Sequence, residues 1–216
     1  MAEVVIRSYE PRDRAAVRHI CCETADAGGP VENFFHDREV IANLVTRYYT
    51  DFEPQHSWVA ERSGQVVGYL TGALDGRRAL RMTLWRVVPA TVMGALFCAT
   101  ICRRETWRLL RAWLHTCWAR RLRYGGASGM GGAHLHVNLL PEARGAKVGA
   151  RLVERFLDQV RASGGKTVES HTRRDNVAAC RFFERLGFTE VAHQKLVLPS
   201  PTGYRVTDAV TYAKRW

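Results

Sequence analysis

The second half of the chain alternates strand-like and helix-like segments in a regular order, and this order restricts the fold more than any other feature of the sequence. Residues 133–140 (AHLHVNLL) alternate polar and apolar side chains as a strand does, whereas residues 145–161 place apolar side chains on one helical face. The predicted elements are a strand at 133–140, a helix at 145–161, a strand at 167–172, a helix at 176–186 and strands at 191–198 and 204–212. Strands that alternate with amphipathic helices predict an α/β fold with a mixed sheet.

The first part of the chain is predicted to add elements to the same sheet. These elements are a strand at 4–8, helices at 13–25 and 37–49, and a hairpin with strands at 57–60 and 65–74, separated by the turn sequence ERSG. No internal repeat or low-complexity tract divides the sequence. We therefore predict a single domain over residues 1–216 that carries a helical insert at 76–132.

The formal net charge of +11 is concentrated in this insert. Residues 76–124 contain eleven arginines and one acidic residue, Glu105, whereas the rest of the chain is nearly neutral. The same segment holds four of the six tryptophans. A basic excess by itself is compatible with nucleic acid, an anionic membrane surface or a polyphosphorylated ligand.

Two further patterns bear on the cellular setting. Residues 87–102 are uncharged, but they contain Pro89 and Gly94 and fall short of the roughly 20 residues that a spanning helix needs, so we expect a buried or interface helix and no membrane span. The six cysteines include no C-x-x-C pair, and the N-terminus lacks the pattern of a signal peptide. These features favour a reduced, cytoplasmic setting, and we expect no metal centre.

The junction between the strand at 133–140 and the following helix is a candidate anion site. The sequence LLPEARGAKVGA turns there with small residues, and a strand-to-helix turn leaves free backbone N–H groups at the helix N-terminus. The helix dipole favours an anion at this position, and a pyrophosphate fits it. The alternative is an ordinary turn with an exposed arginine.

A second motif follows the next strand. It has the form N-x-x-A-x-x-F-F-x-x-x-G-F and comprises Asn176, Ala179, Phe182, Phe183, Gly187 and Phe188. Together the two motifs resemble those of the GNAT superfamily of acyl-CoA N-acyltransferases, and the element order is similar outside residues 76–132. The resemblance implies a mixed central sheet with flanking helices and two splayed strands that form a CoA cleft. It also implies acetyl-CoA as co-substrate and direct transfer of the acetyl group to an amine acceptor.

The resemblance further assigns residues to the cofactor. Backbone amides of the turn would hold the CoA pyrophosphate, the end of the preceding strand would bind the pantetheine arm and the thioester carbonyl, and Asn176 would lie near the pantetheine. The residues implied are Val137, Leu139, Leu140, Arg144, Gly145, Ala146, Lys147, Val148, Gly149, Ala150, Asn176 and Phe183. The amide of Leu139 or Leu140 would polarise the thioester.

The candidate bases lie on the strand before the turn. His134 and His136 share one strand face, and an H-L-H sequence on this strand is similar to that of the arylalkylamine N-acetyltransferases, in which two histidines pass the amine proton to solvent. The alternative is a pair of half-buried histidines that only hydrogen-bond to neighbours. Glu169 and His171 form a similar pair on the next strand, for which a direct role has less support.

Two departures from the GNAT pattern bear on catalysis. Lys147 stands where the pattern has glycine, and Phe183 stands where it has a tyrosine that protonates the departing thiolate. A phenyl ring cannot donate that proton. The alternative to an active enzyme is therefore an acetyl-CoA-binding module with little or no catalysis.

Within the superfamily, the phrases AHLHVNLLPE and YYTDFEPQHSWVAERSGQVVGYLTG and the arginine-rich insert are most similar to bacterial relatives of the acetyltransferase-like C-terminal domain of O-GlcNAcases. The insert is predicted as helices at 80–102 and 105–123, followed by a glycine-rich link at 124–132. It could pack as a helical hairpin, bind nucleic acid or a membrane, cover the acceptor site as a lid, or mediate a homodimer. No nucleic-acid-binding signature is visible, so we favour a lid or a dimer contact. A basic lid would favour an acceptor with negative groups.

Overall fold

A computed structural model describes residues 3–97, 102–104, 106–108, 110–112, 132–200 and 203–216. Its centre is a seven-stranded mixed sheet with the strand order β1-β2-β3-β4-β5-β7-β6. The strands are β1 (Val5–Ser8), β2 (Ser57–Arg62), β3 (Gln65–Ala73), β4 (Ala133–Leu139), β5 (Thr167–Arg173), β6 (Thr189–Ser200) and β7 (Gly203–Arg215). The predicted α/β fold with a mixed sheet is confirmed.

Residues 104, 106–108 and 110–112 are helical, and six further α-helices accompany the sheet within the described ranges. They are α1 (Arg14–Glu23), α2 (Arg38–Arg47), α3 (Gly76–Met82), α4 (Val88–Phe97), α5 (Val148–Ala162) and α6 (Val177–Arg185). A π-helical segment, Tyr48–Phe52, continues α2, and a second one, Thr83–Val87, joins α3 to α4. The long β6–β7 hairpin pairs with β5 only through residues 209–215 of β7.

The two faces of the sheet are covered by different helices. On one face α5 buries Leu152 and Phe156 against the sheet together with Leu135 of β4. On the other face α1 packs Val17 and Ile20 into a cluster with residues of β2 and β3. Because side chains alternate along a strand, the residues on either side of Leu135 face away from α5.

The parallel pair β4 and β5 separates along its length. The two strands are paired only from Ala133↔Val168 to Leu135↔Ser170. Beyond Leu135, β4 remains paired with β3 as far as Leu139, while β5 remains paired with β7 as far as Arg173. The sheet therefore opens into a cleft between the ends of β4 and β5, as the GNAT resemblance implies.

The first helix of the insert begins earlier than the sequence predicts. It starts at Gly76 rather than at residue 80, because the Asp75 side chain accepts hydrogen bonds from the amides of Arg77 and Arg78 and caps the helix. Most of the second predicted helix and of the glycine-rich link lies outside the described residues. Within the described part of the chain, no helix is long and apolar enough to cross a membrane.

Candidate active site

The turn between β4 and α5 has the geometry of an anion site. Gly145 has φ 84° and Lys147 has φ 57°, and together they redirect the chain into α5, which begins at Val148. Residues 144–147 are exposed, and the first N–H groups of α5 have no partner within the helix. A side chain at Gly149 would lie 3.2 Å from the ring of Phe182, so this glycine permits close packing of α5 on α6.

Lys147 adopts a left-handed backbone conformation that is unfavourable for a residue other than glycine. A non-glycine residue in the left-handed region costs about 1–2 kcal/mol, and part of this cost is recovered because lysine restricts the unfolded chain more than glycine does. We expect Lys147→Gly to be as stable as the wild type or up to about 1 kcal/mol more stable in urea denaturation. Lys147→Val, which places a β-branched side chain at positive φ, should be the less stable of the two variants. A less stable Lys147→Gly would contradict this account.

The loop between α1 and α2 contacts both sides of the cleft. On the β4 side, Arg144 donates from Nε to the Leu139 carbonyl (3.2 Å) and from Nη2 to the Gly28 carbonyl (3.3 Å). On the β5 side, Arg173 forms an ion pair of 2.6 Å with Asp26 of the same loop. These contacts fix the loop across the open end of the cleft and turn the Arg144 guanidinium toward the protein.

The backbone of β4 presents two amides to the cleft. The Leu140 N–H donates to the Val67 carbonyl at 3.0 Å, so this amide is already engaged. In an antiparallel ladder, alternate residues direct their N–H groups to the same neighbour. The amides of Val137 and Leu139 therefore point away from β3, into the gap that opens after Leu135. Of the two amides proposed to polarise a thioester, the geometry favours that of Leu139.

His134 and His136 lie together on the face of β4 opposite α5. Their ring centroids are 5.8 Å apart, and His134 Nε2 lies 2.7 Å from the hydroxyl of Tyr49. The ring of Tyr49 also packs edge-on against His136, with centroids 5.6 Å apart. The backbone of Gly132 makes a further hydrogen bond to His134 that favours the protonated ring. Both contacts are satisfied together when Nδ1 carries the hydrogen and Nε2 accepts from Tyr49.

Burial keeps both imidazoles neutral at physiological pH. Desolvation, together with the nearby His171, lowers the pKa of His134 to about 4. Desolvation and the neighbouring histidines lower the pKa of His136 to about 3. Burial raises the pKa of the Tyr49 hydroxyl, which therefore keeps its proton.

A cavity of about 300 Å³ adjoins the histidines. The insert contributes Ala79, Leu80 and Thr83 to its wall, and the sheet contributes His134, His136 and Glu169. His171 of β5 also lines it, and its Nδ1 lies 3.0 Å from the Thr211 hydroxyl. Desolvation raises the pKa of Glu169, and the charge of Arg215 opposes this shift. Among the described residues no cluster of three metal-ligating side chains occurs.

Asn176 and Phe183 have local structural contacts on α6. The Asn176 side chain accepts a hydrogen bond of 3.1 Å from the Ala179 amide and caps the helix. Phe183 is 4% exposed, packs edge-on against Phe188 and stacks on Tyr212 at 5.9 Å. Both side chains are thus explained by packing and capping, and the role in cofactor binding stays a prediction.

Sequence reasoning did not find Tyr49, although this residue contacts both histidines. It lies in the π-helical segment after α2, far from β4 in the chain. π-Helical turns occur often at functional sites, but they leave no recognisable pattern in a single sequence. The sequence predicted that the insert could cover the acceptor site, but it did not indicate that Ala79 and Leu80 of α3 would line the cavity.

Comparison with known proteins agrees with this geometry. Residues 129–188, which span β4, the turn, α5, β5 and α6, match the model of the acetyltransferase (GNAT) family. The structure of SsHAT is similar over 99% of this chain and 98% of that one, with 24% identity and a TM-score of 0.71. YncA of Salmonella typhimurium, solved with its cofactor acetyl-CoA, is 17% identical, with coverage of 99% and 94% and a TM-score of 0.57. The polyamine N-acetyltransferase of Drosophila melanogaster, which forms N-acetylagmatine, is 17% identical, with coverage of 99% and 100% and a TM-score of 0.59.

Residues 129–188 therefore match the acetyltransferase (GNAT) family model, and the whole chain shares its fold with the solved N-acetyltransferases to which it is similar. The match of residues 129–188 and the fold shared with N-acetyltransferases support the assignment of this chain as an N-acetyltransferase.

Proposed function

We propose that this chain transfers an acetyl group directly from acetyl-CoA to an amine acceptor. The observation that carries the proposal is the convergence of three features on β4: the cleft that opens after Leu135, the exposed turn at residues 144–147 at its end, and the histidine pair on one face. The turn would hold the CoA pyrophosphate through the first amides of α5. The amide of Leu139 would donate to the thioester carbonyl as negative charge develops on its oxygen.

The histidines are suited to relay a proton. The amine nitrogen forms a bond to the carbonyl carbon, the carbon–sulfur bond breaks, and the thiolate must gain a proton to leave as free CoA. Imidazoles with pKa values near 3 and 4 do not retain a proton at pH 7, so His134 and His136 would pass the amine proton to water. Tyr49 would fix His134 in the tautomer that leaves Nε2 as an acceptor.

The experiment that tests this proposal mixes the protein with acetyl-CoA and a panel of primary amines and follows CoA release with a thiol reagent. We expect release that depends on the amine and on the protein. Calorimetric titration with acetyl-CoA alone measures binding separately. Protein that neither binds acetyl-CoA nor releases CoA would contradict the proposal.

A second candidate function rests on Phe183. Its ring is buried among Phe188 and Tyr212 and offers no proton to a thiolate, so water or another residue would have to supply it. A chain without that donor could serve as an acetyl-CoA-binding module. Acetyl-CoA binding without CoA release, on amines and lysine peptides alike, would support this second function.

We also propose that the 216 residues form one domain, that the protein is cytoplasmic, and that it is related to the bacterial relatives of the O-GlcNAcase acetyltransferase-like domain. The free thiols of Cys21, Cys22, Cys102 and Cys180 support the reduced setting.

The role of the insert as a lid is supported by the position of α3 at the cavity. The proposed preference for an anionic acceptor is not supported, because the described insert residues that line the cavity carry no charge.

A further inference from the structure

The cavity beside the histidines has apolar walls and one carboxyl group, that of Glu169. Leu44 and Val45 of α2 form one side, and Ala79 and Leu80 of α3 form another. His134 and His136 are neutral at pH 7. Among the lining residues that the structure describes, Glu169 alone carries a carboxyl group, and none is a lysine or an arginine. A ligand that enters the cavity thus meets the Glu169 carboxyl group among apolar side chains and the neutral rings of His134 and His136.

Glu169 has no ion-pair partner within 4.0 Å among the described residues. The cation that acts on it is Arg215, two residues beyond its β7 partner Ala213, and the Arg215 side chain is exposed. A partly buried carboxylate without a close cation is stabilised by a cationic ligand, because the ligand replaces water that burial has removed. Glu169 is also the direct partner of His134 in the β4–β5 register, so an ammonium held there lies beside the proton relay.

The arginines of α3 do not compete for this position. The helix directs Ala79 and Leu80 toward the cavity, whereas Arg77, Arg78 and Arg81 are exposed and do not line it. Arg78 is paired with Glu53 at 3.1 Å. The positive charge of the insert, as far as the structure describes it, is directed away from the acceptor.

We propose that Glu169 binds the ammonium group of the acceptor and that α2 and α3 enclose an uncharged apolar stem, so that the acceptor is a primary alkylamine without a second charge near its nitrogen. This inference rests on the proposed function and names its acceptor class. The alkylammonium is shared by a free small amine and by the side chain of a lysine. A carboxylate on the carbon that bears the amine would be repelled by Glu169, and a charge at the far end of the stem would lose its hydration against Leu44, Val45 and Leu80.

The first test compares three amines of equal chain length. Pentylamine carries no second charge, norleucine adds a carboxylate beside the nitrogen, and cadaverine adds an ammonium at the far end. We expect kcat/KM for pentylamine to exceed that for norleucine at least tenfold and that for cadaverine severalfold. Nα-acetyl-lysine methylamide distinguishes the two sources: activity near that of pentylamine points to a lysine side chain, and activity well below it points to a free amine.

Glu169→Gln tests the contact itself. We expect this variant to raise KM for pentylamine at least tenfold and to reduce the preference for pentylamine over norleucine to within about threefold. Glu154→Gln is the matched control, since Glu154 is exposed on α5, on the opposite face of the sheet.

Leu80→Asp is a gain-of-function variant at a side chain that is 41% exposed, and we expect it to increase the activity with cadaverine relative to pentylamine.

Calorimetric binding of pentylamine separates the two proposals. If pentylamine binds the wild type and Glu154→Gln but not Glu169→Gln, and no CoA is released, the acceptor site stands while the proposed transfer fails. If CoA is released but norleucine and pentylamine react equally well, or Glu169→Gln leaves KM unchanged, this inference is overturned and the proposed function stands. Absence of both binding and transfer overturns both.

Discussion

His136→Ala is expected to lower kcat/KM for an amine acceptor by about 100-fold or more at pH 7, because removal of a positioned proton acceptor typically costs 10²- to 10⁴-fold. His136 lies on β4 and lines the cavity. The turn that is proposed to bind CoA is formed by residues 144–147 and does not involve this side chain. The dissociation constant for acetyl-CoA should therefore stay within about threefold of the wild-type value.

The matched control is His193→Ala, because His193 is exposed on β6 and does not line the cavity. Steady-state CoA release and calorimetric acetyl-CoA binding are measured for the wild type and both variants. Tyr49→Phe, which removes the hydroxyl that bonds to His134, should lower kcat/KM less than His136→Ala does. Unchanged turnover in His136→Ala would remove this residue as a proton acceptor and would leave His134 or water in that role.

The strand and the helix on either side of the turn at residues 144–147 could be predicted from the sequence, because each depends on a local pattern of side chains. The alternation of His134, His136 and Asn138 with apolar residues fixes which side chains share a face of β4, and burial of Leu135 follows from the same alternation. Lys147 stands where the GNAT pattern has glycine, and its φ of 57° is one that glycine adopts readily. Each of these inferences depends on a few neighbouring residues.

Other parts of the site depend on pairing between distant segments and could not be read from the sequence. The choice between the amides of Leu139 and Leu140 follows from the register of β3 on β4, which places the Leu140 N–H opposite the Val67 carbonyl. A shift of one residue would exchange their roles. Tyr49 reaches His134 across 85 residues of chain, through a π-helical segment that has no sequence signature.

The charge on the side of the insert that faces the cavity could not be predicted from the composition of the insert. The number of arginines suggested a basic surface over the acceptor, but the side chains that α3 turns inward are Ala79 and Leu80. A helix presents one side to its neighbour and another to solvent, so its composition does not determine the charge of the side that faces the site. The start of α3 at Gly76, set by the Asp75 cap, decides which residues face the cavity.

The histidine pair should also make the stability of the protein depend on pH. The folded pKa values of His134 and His136, about 4 and 3, lie below the value of about 6.5 in an unfolded chain. Between pH 6.5 and pH 4 the unfolded state therefore binds more protons than the folded state, and the free energy of unfolding falls as the pH is lowered. Each histidine contributes at most about 1.4 kcal/mol per pH unit over this window.

Urea denaturation at pH 7, 6, 5 and 4.5 measures this dependence, and the difference between wild type and His136→Gln isolates one histidine. We expect the loss of stability toward low pH to be smaller in His136→Gln by about 1 kcal/mol per pH unit. The lowered pKa values of Asp13, Asp26 and Asp51 also reduce the stability below about pH 5, but these residues are the same in both proteins, so their contribution cancels in the difference. His193→Gln, at an exposed position on β6, is the matched control for the replacement of a histidine by glutamine. Equal slopes in the wild type and His136→Gln would mean that His136 becomes protonated in the folded protein near its ordinary pKa, in which case it could retain a proton from the amine rather than relay it.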